Sequence, residues 1–451
     1  MDTRGIRKVL RRTPLRRMWI NFKKLPGVKQ VKWKINGERD RRYLKEWIPG
    51  IYDKYAVKPV KENKVVIIER RLDKLSDNFQ QIYNDLMEDG SFDVHVHYLR
   101  NIFEPRKIYE KNCAKMIADM ATARYVFMSE ASTEVSAVNK RPETTICQLW
   151  HACGAFKKFG RSTALTRFGP SAEKLDKYPM NKNYDYVTIS SPEIRWAYAE
   201  ALDMKDREDA IVATGTSRTD VFFQEDFLKA AREHVYAEVP QARGKKILLY
   251  APTFRGGTGD PQTTNYKQFD LKKLYDAIGQ DWVVLIKHHQ IIREVFLPKV
   301  PSPYKASFAF DVTGKLTIED LLCTADCCIS DYSSLIFEYS LFLKPMLFYA
   351  YDLDKYLDWR GFYYGYNDYT PGPVCKDMDS LCDELVHLDE RFDKKAVEDF
   401  RNKFMASCDG HATERIEKLV FGRSLRKETS AEAEADGAVL TDDEAETDSE
   451  D

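Results

Sequence analysis

The strongest constraint on the fold is an alternation between short, β-branched apolar runs and longer helical stretches, which occurs twice along the chain. Such runs predict buried strands, and the stretches between them predict helices. Strands that alternate with helices pair in parallel, because each crossover helix returns the chain to the same end of the sheet. The sequence therefore predicts an α/β fold with two Rossmann-type, doubly wound domains that face a cleft.

The predicted elements form two groups, separated by the polar segment at residues 241–244. The first group has predicted strands at 65–68, 92–99, 125–128, 145–149 and 186–189, and predicted helices at 77–87 and 108–120. The second group has predicted strands at 247–251, 283–287, 327–330 and 346–349. We therefore expect one domain over residues 64–243 and a second over residues 244–426.

The two ends of the chain differ in charge from its middle. Residues 1–64 hold 20 Lys and Arg against 6 Asp and Glu, whereas residues 427–451 hold 1 against 11. The acidic end has few aromatic residues and is predicted to be a disordered tail. Within the basic segment at residues 1–63, Leu15, Met18, Trp19 and Phe22 share one helical face, which predicts an amphipathic helix suited to an anionic membrane surface. The alternative is a helix that packs on the protein itself.

The composition argues against several classes of protein. Residues 65–426 hold 49 basic and 54 acidic side chains, which disfavours a nucleic-acid-binding body. No run of about 18 apolar residues occurs and the basic start lacks the apolar core of a secretory signal, so we expect a cytoplasmic protein. The nine cysteines have no paired spacing that would indicate zinc or a disulfide framework. His95 and His97 share one face of a predicted strand, but without a third ligand they predict no metal site.

A hydroxyl-rich turn follows the predicted strand at 327–330. Ser333 and Ser334 lie at a predicted helix start, and Glu338 lies one turn inside that helix. Backbone N–H groups at a helix start are unpaired and carry the positive end of the helix dipole, so this turn predicts a phosphate pocket. Glu338 would then face a different part of the same ligand. The alternative is that Asp331 or Ser333 only caps the helix.

Two other predicted strands end at histidines. His151 follows the strand at 145–149 and precedes small residues, a position suited to a general base because free imidazole has a pKa of about 6.5. His288 and His289 follow the strand at 283–287, and because adjacent side chains alternate faces, at most one of them faces the cleft. The alternative for each is a packed, hydrogen-bonded structural histidine.

Two arginines lie in turns that follow predicted strands. Arg255 comes at the end of Pro252-Thr253-Phe254-Arg255, where its guanidinium can bind two phosphate oxygens. Arg218 lies near the linker between the domains, where it can reach a phosphate or simply pair with Asp220. An ordinary loop position is the alternative for Arg255.

Taken in order, these segments resemble the CDP-glycerol glycerophosphotransferase family of teichoic acid primases and polymerases. The resemblance covers about Lys64 to Val420. It is carried by Ser76-Asp77-Asn78, Gln148-Leu149-Trp150-His151 with Lys157-Lys158, Ser190-Ser191-Pro192, Gly215 with Arg218 and Asp220, Pro252-Thr253-Phe254-Arg255, Lys287-His288-His289, Ser330-Asp331-Tyr332-Ser333-Ser334 with Glu338, Arg360-Gly361-Phe362-Tyr363, and Asp409-Gly410. It implies a GT-B-like pair of domains, with the acceptor bound by residues 64–243 and the donor by residues 244–426.

The resemblance also implies an activity, which is transfer of glycerol phosphate from CDP-glycerol to a hydroxyl of a lipid-linked acceptor, with release of CMP. Its setting would be the inner face of the cell membrane. His151 matches the proposed base, and His289 matches a second histidine that contacts the donor pyrophosphate, although the neighbouring His288 leaves this second assignment open. The implied donor and phosphate ligands are Arg218, Thr253, Arg255, Ser333, Ser334 and Glu338.

Several alternatives stay open from the sequence. CDP-ribitol can replace CDP-glycerol as donor, because close relatives make polymers of other alditol phosphates. A GT-B nucleotide-sugar glycosyltransferase would use similar phosphate contacts. A non-catalytic scaffold at the membrane surface is an alternative from a different class. The sequence predicts no resident cofactor, and it leaves a divalent cation and the oligomeric state open.

Overall fold

The structure is a computed structural model. It describes residues 37–426 except 102, 165, 167–168, 256–266, 290–291, 293–296 and 368. The predicted helix around residues 15–22 and the predicted tail at 427–451 lie outside the described residues. The described chain forms two six-stranded parallel sheets, which confirms the predicted pair of α/β units.

The first sheet has the strand order β2-β1-β3-β4-β5-β6. Its strands are β1 (Lys61–Glu69), β2 (Asp93–Tyr98), β3 (Ala123–Met128), β4 (Thr145–Gln148), β5 (Tyr186–Thr188) and β6 (Ile211–Val212). The helices of this half are α1 (Ile48–Ala56), α2 (Asp77–Asp89), α3 (Arg106–Met120), α4 (Thr133–Ser136), α5 (Ala172–Lys177), α6 (Arg195–Leu202) and α7 (Glu225–Glu238). Val65 to Ile68 are fully buried, as expected for a parallel strand covered on both faces. For β6 the sequence analysis predicted only a strand end before Arg218, without bounds, because a pair of residues carries no periodicity.

The second sheet has the strand order β12-β11-β10-β7-β8-β9. Its strands are β7 (Lys246–Tyr250), β8 (Trp282–Ile286), β9 (Ala309–Asp311), β10 (Cys327–Ser330), β11 (Met346–Tyr349) and β12 (Val374–Cys375). The helices are α8 (Leu271–Ile278), α9 (Ile318–Thr324), α10 (Leu335–Ser340), α11 (Leu353–Arg360), α12 (Met378–Val386), α13 (Leu388–Arg391), α14 (Lys394–Phe404) and α15 (Ala412–Phe421). The sequence analysis missed the short edge strands β9 and β12.

The strand orders place a topological switch in each sheet. In the second sheet the chain moves outward from β7 through β8 to β9 and then returns to the other side of β7 to form β10. In the first sheet, β2 and β3 lie on opposite sides of β1. Ligands of open α/β sheets bind beyond the carboxyl ends of the strands at such a switch. The turns after β7 and β10, and those after β1 and β3, are therefore the places to look for a site.

The last helix, α15, returns to the first sheet. Ile416 and Val420 belong to one buried cluster with Phe127 and Leu149 of that sheet. The predicted domain range 244–426 assigns this helix to the second domain, whereas its apolar face packs on the first. An amphipathic pattern shows that one helix face is covered but does not show by which sheet.

The two halves are in direct contact near their sheet edges. Lys158 N donates to Gly361 O at 3.1 Å, and Tyr363 N donates to Phe156 O at 3.2 Å. Gly154 has φ of 63°, and a Cβ there would lie 2.2 Å from the ring of Phe337 in α10. Only glycine fits this approach between the halves. Among the described helices, none is both long and apolar enough to cross a membrane.

Candidate active site

His151 lies in the turn that follows β4, and its imidazole has a defined orientation. Nδ1 is 3.0 Å from the carbonyl oxygen of Ser129 and 3.3 Å from Oε1 of Glu130. Because a carbonyl oxygen only accepts hydrogen bonds, we assign the ring proton to Nδ1, which leaves Nε2 as the acceptor of the neutral ring. The side chain is 32% exposed, so a ligand can approach it.

Glu130, which follows β3, connects His151 to Arg71, which follows β1. Its Oε1 lies 2.8 Å from Nε of Arg71, and its Oε2 lies 2.9 Å from Nη2 of the same arginine. Arg71, Glu130 and His151 follow the neighbouring strands β1, β3 and β4, whose carboxyl ends share one edge. The sequence analysis missed Arg71 and Glu130. Their position just beyond predicted parallel strands was the available signal, but the strand order was needed to place them together.

The surroundings of His151 favour its neutral form. Burial lowers the pKa of His151, while the carboxylate of Glu130 opposes this shift and the cations of Arg71 and Arg218 reinforce it. A ring whose pKa lies below its ordinary value is uncharged near neutral pH. His151 therefore has the protonation state that a general base requires.

An ion pair joins the two halves, and the charge of its arginine also acts on His151. Arg218, in the 3₁₀ turn Ser217–Phe223, pairs through Nη2 with Oε1 of Glu338 in α10. Both side chains are largely buried, with 18% and 5% exposure. The alternative of an Arg218–Asp220 pair is wrong, because Asp220 instead accepts hydrogen bonds from the backbone at the start of α15. The second oxygen of Glu338, Oε2, is buried and has no hydrogen-bond partner within the described residues.

Arg255 organises the switch of the second sheet. Its Nε and Nη2 donate to both carboxylate oxygens of Asp352 at 2.7 and 2.9 Å. Its Nη1 donates to Thr253 O at 2.7 Å and lies 2.9 Å from Oδ2 of Asp331. The guanidinium carbon lies 5.0 Å from the ring centre of Tyr332. The guanidinium therefore links the turns that follow β7, β10 and β11.

Thr253 and Asp331 complete this link. Thr253 donates to Oδ1 of Asp331 from its backbone N at 2.9 Å and from Oγ1 at 2.6 Å. Asp331 is therefore not the cap of α10, which was one alternative. The capping position belongs to Ser334, whose side chain makes no capping bond.

The predicted phosphate turn lies at the switch between β7 and β10. Ser333 and Ser334 are half-buried there. Ser333 Oγ accepts a bond from Leu335 N at 3.4 Å, close to the limit for a hydrogen bond. Oγ of Ser330 at the end of β10 is buried without a hydrogen-bond partner in the described part of the chain. The turn thus presents several hydroxyl groups at the edge where a ligand is expected.

The structure distinguishes the adjacent histidines after β8. His288 is 1% exposed, its backbone N donates to Thr313 Oγ1 at 3.0 Å, and burial lowers the pKa of its imidazole. His289 is half-buried, and its ring centre lies 5.0 Å from that of Phe254, the residue before Arg255. His289 is therefore the more accessible of the two and lies beside the turn after β7.

His95 and His97, which share one face of β2, each contact a carboxylate. Nε2 of His95 lies 3.0 Å from Oδ1 of Asp93, and Nε2 of His97 lies 2.9 Å from Oδ2 of Asp119. The ammonium of Lys64 lies 2.7 Å from the other oxygen of Asp119. Within the ranges that the structure describes, no three His, Cys, Asp or Glu side chains form a group that could hold a metal ion.

Comparison with known proteins assigns the family. The family model described as CDP-Glycerol:Poly(glycerophosphate) glycerophosphotransferase matches residues 51–422, which is most of the chain. The chain belongs to this family. The family assignment confirms the resemblance that the ordered motifs indicated.

Relatives of this chain are named for two different activities, ribitol-phosphate priming and glycerol-phosphate priming. The chain is 36% identical over 368 residues to the teichoic acid ribitol-phosphate primase of Bacillus spizizenii, covering 81% of this chain and 92% of that protein. It is 29% identical over 314 residues to the teichoic acid glycerol-phosphate primase of Bacillus subtilis, covering 68% and 77%.

Solved structures of the wall teichoic acid polymerase TagF share the fold. One covers 88% of this chain and 98% of its own, with a TM-score of 0.68 and 24% identity. A second, of a variant soaked with CDPG, has the same coverage, a TM-score of 0.67 and 22% identity. These similarities confirm the GT-B-like architecture of this glycerophosphotransferase family member.

Proposed function

We propose that this protein transfers an alditol phosphate from a CDP-alditol to a hydroxyl of a lipid-linked, teichoic-acid-type acceptor and releases CMP. The observation that carries the proposal is the oriented imidazole of His151, whose surroundings favour its neutral form, together with the ion pair of Arg218 and Glu338 that joins the two halves. The family assignment supports a phosphotransferase. The reaction needs one base for an alcohol and donors for phosphate oxygens, and the two sheet edges supply both.

His151 acts on the acceptor. Its Nε2 takes the proton of the attacking hydroxyl while the acceptor oxygen bonds to the phosphorus that carries the alditol. The bond from that phosphorus to the bridging oxygen of CMP breaks, and CMP leaves with the electron pair. Ser129 O and Glu130 hold the Nδ1 proton throughout, so the imidazolium that forms is stabilised by a carboxylate.

The second sheet and Arg218 bind the donor. Ser333 and Ser334 donate to phosphate oxygens, and His289 contacts the pyrophosphate from the neighbouring strand end. Glu338 Oε2, buried and without a partner among the described atoms, accepts a hydrogen bond from an alditol hydroxyl. Arg255 and Thr253 hold the turn that presents these groups, and the remaining N–H of Arg255 reaches a phosphate oxygen.

The donor alditol is glycerol in our sequence-based prediction, and ribitol is the second candidate. The 36% identity to a ribitol-phosphate primase favours ribitol, whereas the family description and the CDPG soak of a structural neighbour favour glycerol. We propose measuring nucleotide release from CDP-glycerol, CDP-ribitol and UDP-sugars with lipid-linked acceptor, each with Mg²⁺ and with EDTA. UDP release without CMP release would replace the proposal with a glycosyltransferase.

The decisive variant is His151→Ala. We expect kcat to fall by about 10² to 10⁴, because a general base is removed, with an unchanged circular dichroism spectrum. His387→Ala is the matched control, since this histidine lies at the end of α12 and its Nδ1 is 2.9 Å from the carbonyl oxygen of Asp383 in the same helix. Normal turnover by the His151 variant would remove this histidine from the reaction, whereas a wild-type protein that turns over none of these donors would favour the non-catalytic scaffold.

We also propose that the enzyme works at the inner face of the cell membrane, held by its basic N-terminal segment. Twelve Lys and Arg among residues 1–34 favour anionic lipid, at about 1 kcal/mol for each cation near the surface. Deleting residues 1–34 is expected to reduce liposome binding and to lower activity on a lipid-linked acceptor more than on a short soluble one. An equal effect on both acceptors would contradict the anchor.

A further inference from the structure

The turn that carries Arg218 is hydrogen-bonded to α15, the last helix of the described chain. Asp220 is 1% exposed, and its Oδ1 and Oδ2 accept hydrogen bonds from the backbone N of Ala412 at 3.0 Å and of Thr413 at 2.7 Å. These are the first two residues of α15, whose own preceding residue, His411, makes no side-chain capping bond. A carboxylate from the first half therefore caps a helix that begins almost 200 residues later.

Other contacts clamp the same turn on both sides of Asp220. Ser217 Oγ and Thr413 Oγ1 are 2.9 Å apart, and Nε of Arg415 donates to Thr214 O at 2.8 Å. At Gly410, where φ is 98°, a Cβ would lie 3.1 Å from Cβ of Phe223. The turn Ser217–Phe223 thus contacts the start of α15 through Ser217 and Asp220, and the residues just before that helix through Phe223.

The helix that receives this turn is itself firmly placed. Ile416 and Val420 of α15 are buried in the first sheet's core together with Leu149, which is two residues before His151. Arg218 lies between Ser217 and Asp220, both of which bond to α15. A shift of this turn would move the guanidinium relative to both His151 and Glu338.

We propose that Asp220 is a positioning residue that docks the Arg218 turn onto α15 and so holds the Arg218 guanidinium over the donor phosphates. The inference rests on the proposed transferase function, because it gives Arg218 a part in that reaction. It also gives α15 a role beyond covering the first sheet. Asp220 itself touches no reacting atom.

The test is the variant Asp220→Asn in the full-length protein. Asparagine keeps the shape but places an amide N–H against a backbone N–H, so one capping bond is lost together with the charge. We expect kcat for CMP release to fall about 10- to 100-fold, as a displacement of about 1 Å in a catalytic group produces. The matched control is Asp270→Asn, which removes the charge of the residue that caps α8 in the second half, where Lys272 N and Lys273 N both donate to Oδ1 and an amide oxygen can accept the same bonds. It is expected to change kcat by less than about twofold.

A double-mutant cycle separates positioning from general destabilisation. In an Arg218→Met background, Asp220→Asn is expected to cause almost no further loss of kcat, because the group it positions is gone. The same fold-loss in both backgrounds would overturn the proposal, as would full activity of Asp220→Asn or of Arg218→Met. If Asp220→Asn does not fold, Ser217→Ala removes the parallel link and is judged by the same cycle.

Hydrogen exchange gives a readout that does not depend on the reaction. Faster amide exchange within residues 217–223 and at Ala412 and Thr413 in Asp220→Asn, with no change there in Asp270→Asn, supports the docking role whichever nucleotide the enzyme uses. Unchanged exchange overturns it. If the wild-type protein released neither CMP nor UDP, while Asp220→Asn still showed this exchange pattern, the proposed function would be refuted. The docking of the turn on α15 would then stand by itself.

Discussion

At the scale of the residue, the orientation of His151 determines what it can do. Contact with a carbonyl oxygen assigns the proton to Nδ1, and contact with Glu130 stabilises the charge that appears when Nε2 takes a second proton. Glu130 is itself held by two bonds from Arg71. The imidazole therefore has a fixed ring plane and a fixed tautomer before any substrate arrives.

Replacing Glu130 with Gln should change the pH dependence of the reaction. Glu130 raises the pKa of His151 against the effect of burial, so its removal lowers that pKa further. The acid limb of the kcat/KM profile, where protonation of His151 stops the reaction, should move to lower pH, and kcat should fall about tenfold or more through lost orientation. An acid limb that moves to higher pH, or does not move, would show that another group controls it.

At the scale of the element, the carboxyl ends of neighbouring strands act as one unit. Arg255 bonds to the turns after β7, β10 and β11, and its charge is balanced by Asp331 and Asp352. Burial would lower the pKa of Arg255, but these two carboxylates overcome it and raise that pKa. The turn with Ser333 and Ser334 thus depends on a guanidinium that belongs to a different strand end.

The variant Arg255→Met is expected to lower the free energy of unfolding by about 3 to 5 kcal/mol, because Asp331 and Asp352 lose a buried partner. Arg391→Met, which removes an exposed arginine paired with Asp383 and Glu384, should change the free energy of unfolding far less, because water and salt screen an exposed ion pair. Urea denaturation measures both. Unchanged stability of Arg255→Met with a higher KM for the donor would assign Arg255 to the ligand rather than to the turn.

At the scale of the whole molecule, the site exists only where the two halves meet. The segment after β4 packs against α10 through Gly154 and Phe337, and Arg218 reaches Glu338 from the other half. The helix α15 returns to the first sheet, so the chain crosses between the halves twice. The position of His151 relative to the turn with Ser333 and Ser334, the predicted phosphate turn, is therefore set by contacts between the halves.

The ion pair across the halves can be measured by a double-mutant cycle on stability. Arg218→Met and Glu338→Gln should each lower the free energy of unfolding, and the double variant should lose less than the sum, with a coupling of about 1 to 3 kcal/mol. Each single change leaves the other member of the pair mostly buried without its charged partner, which is the physical reason for the coupling. Additive losses in urea denaturation would mean that the pair does not form in solution.

The sequence by itself determined the two parallel α/β units and most of their strands. It also determined which polar residues lie in the turns after those strands. His151, Arg255, Ser333 and Glu338 could be selected in this way because the carboxyl ends of parallel strands share an edge, so local patterns carry that information. The ordered motifs were enough to indicate the family. The short strands β9 and β12 were not predicted, and β6 was predicted only as a strand end without bounds, because so few residues show no periodicity.

Only the tertiary structure decided which of these residues become partners. Sequence proximity suggested that Arg218 pairs with Asp220, yet Arg218 bonds to Glu338 and Asp220 caps a helix at the other end of the chain. Glu130 could be recognised as a partner of His151 only from the pairing of β3 with β4. The physical reason is that a side chain's charge is balanced by whatever group the packed sheets bring within a few ångströms, and that distance is a property of the folded chain.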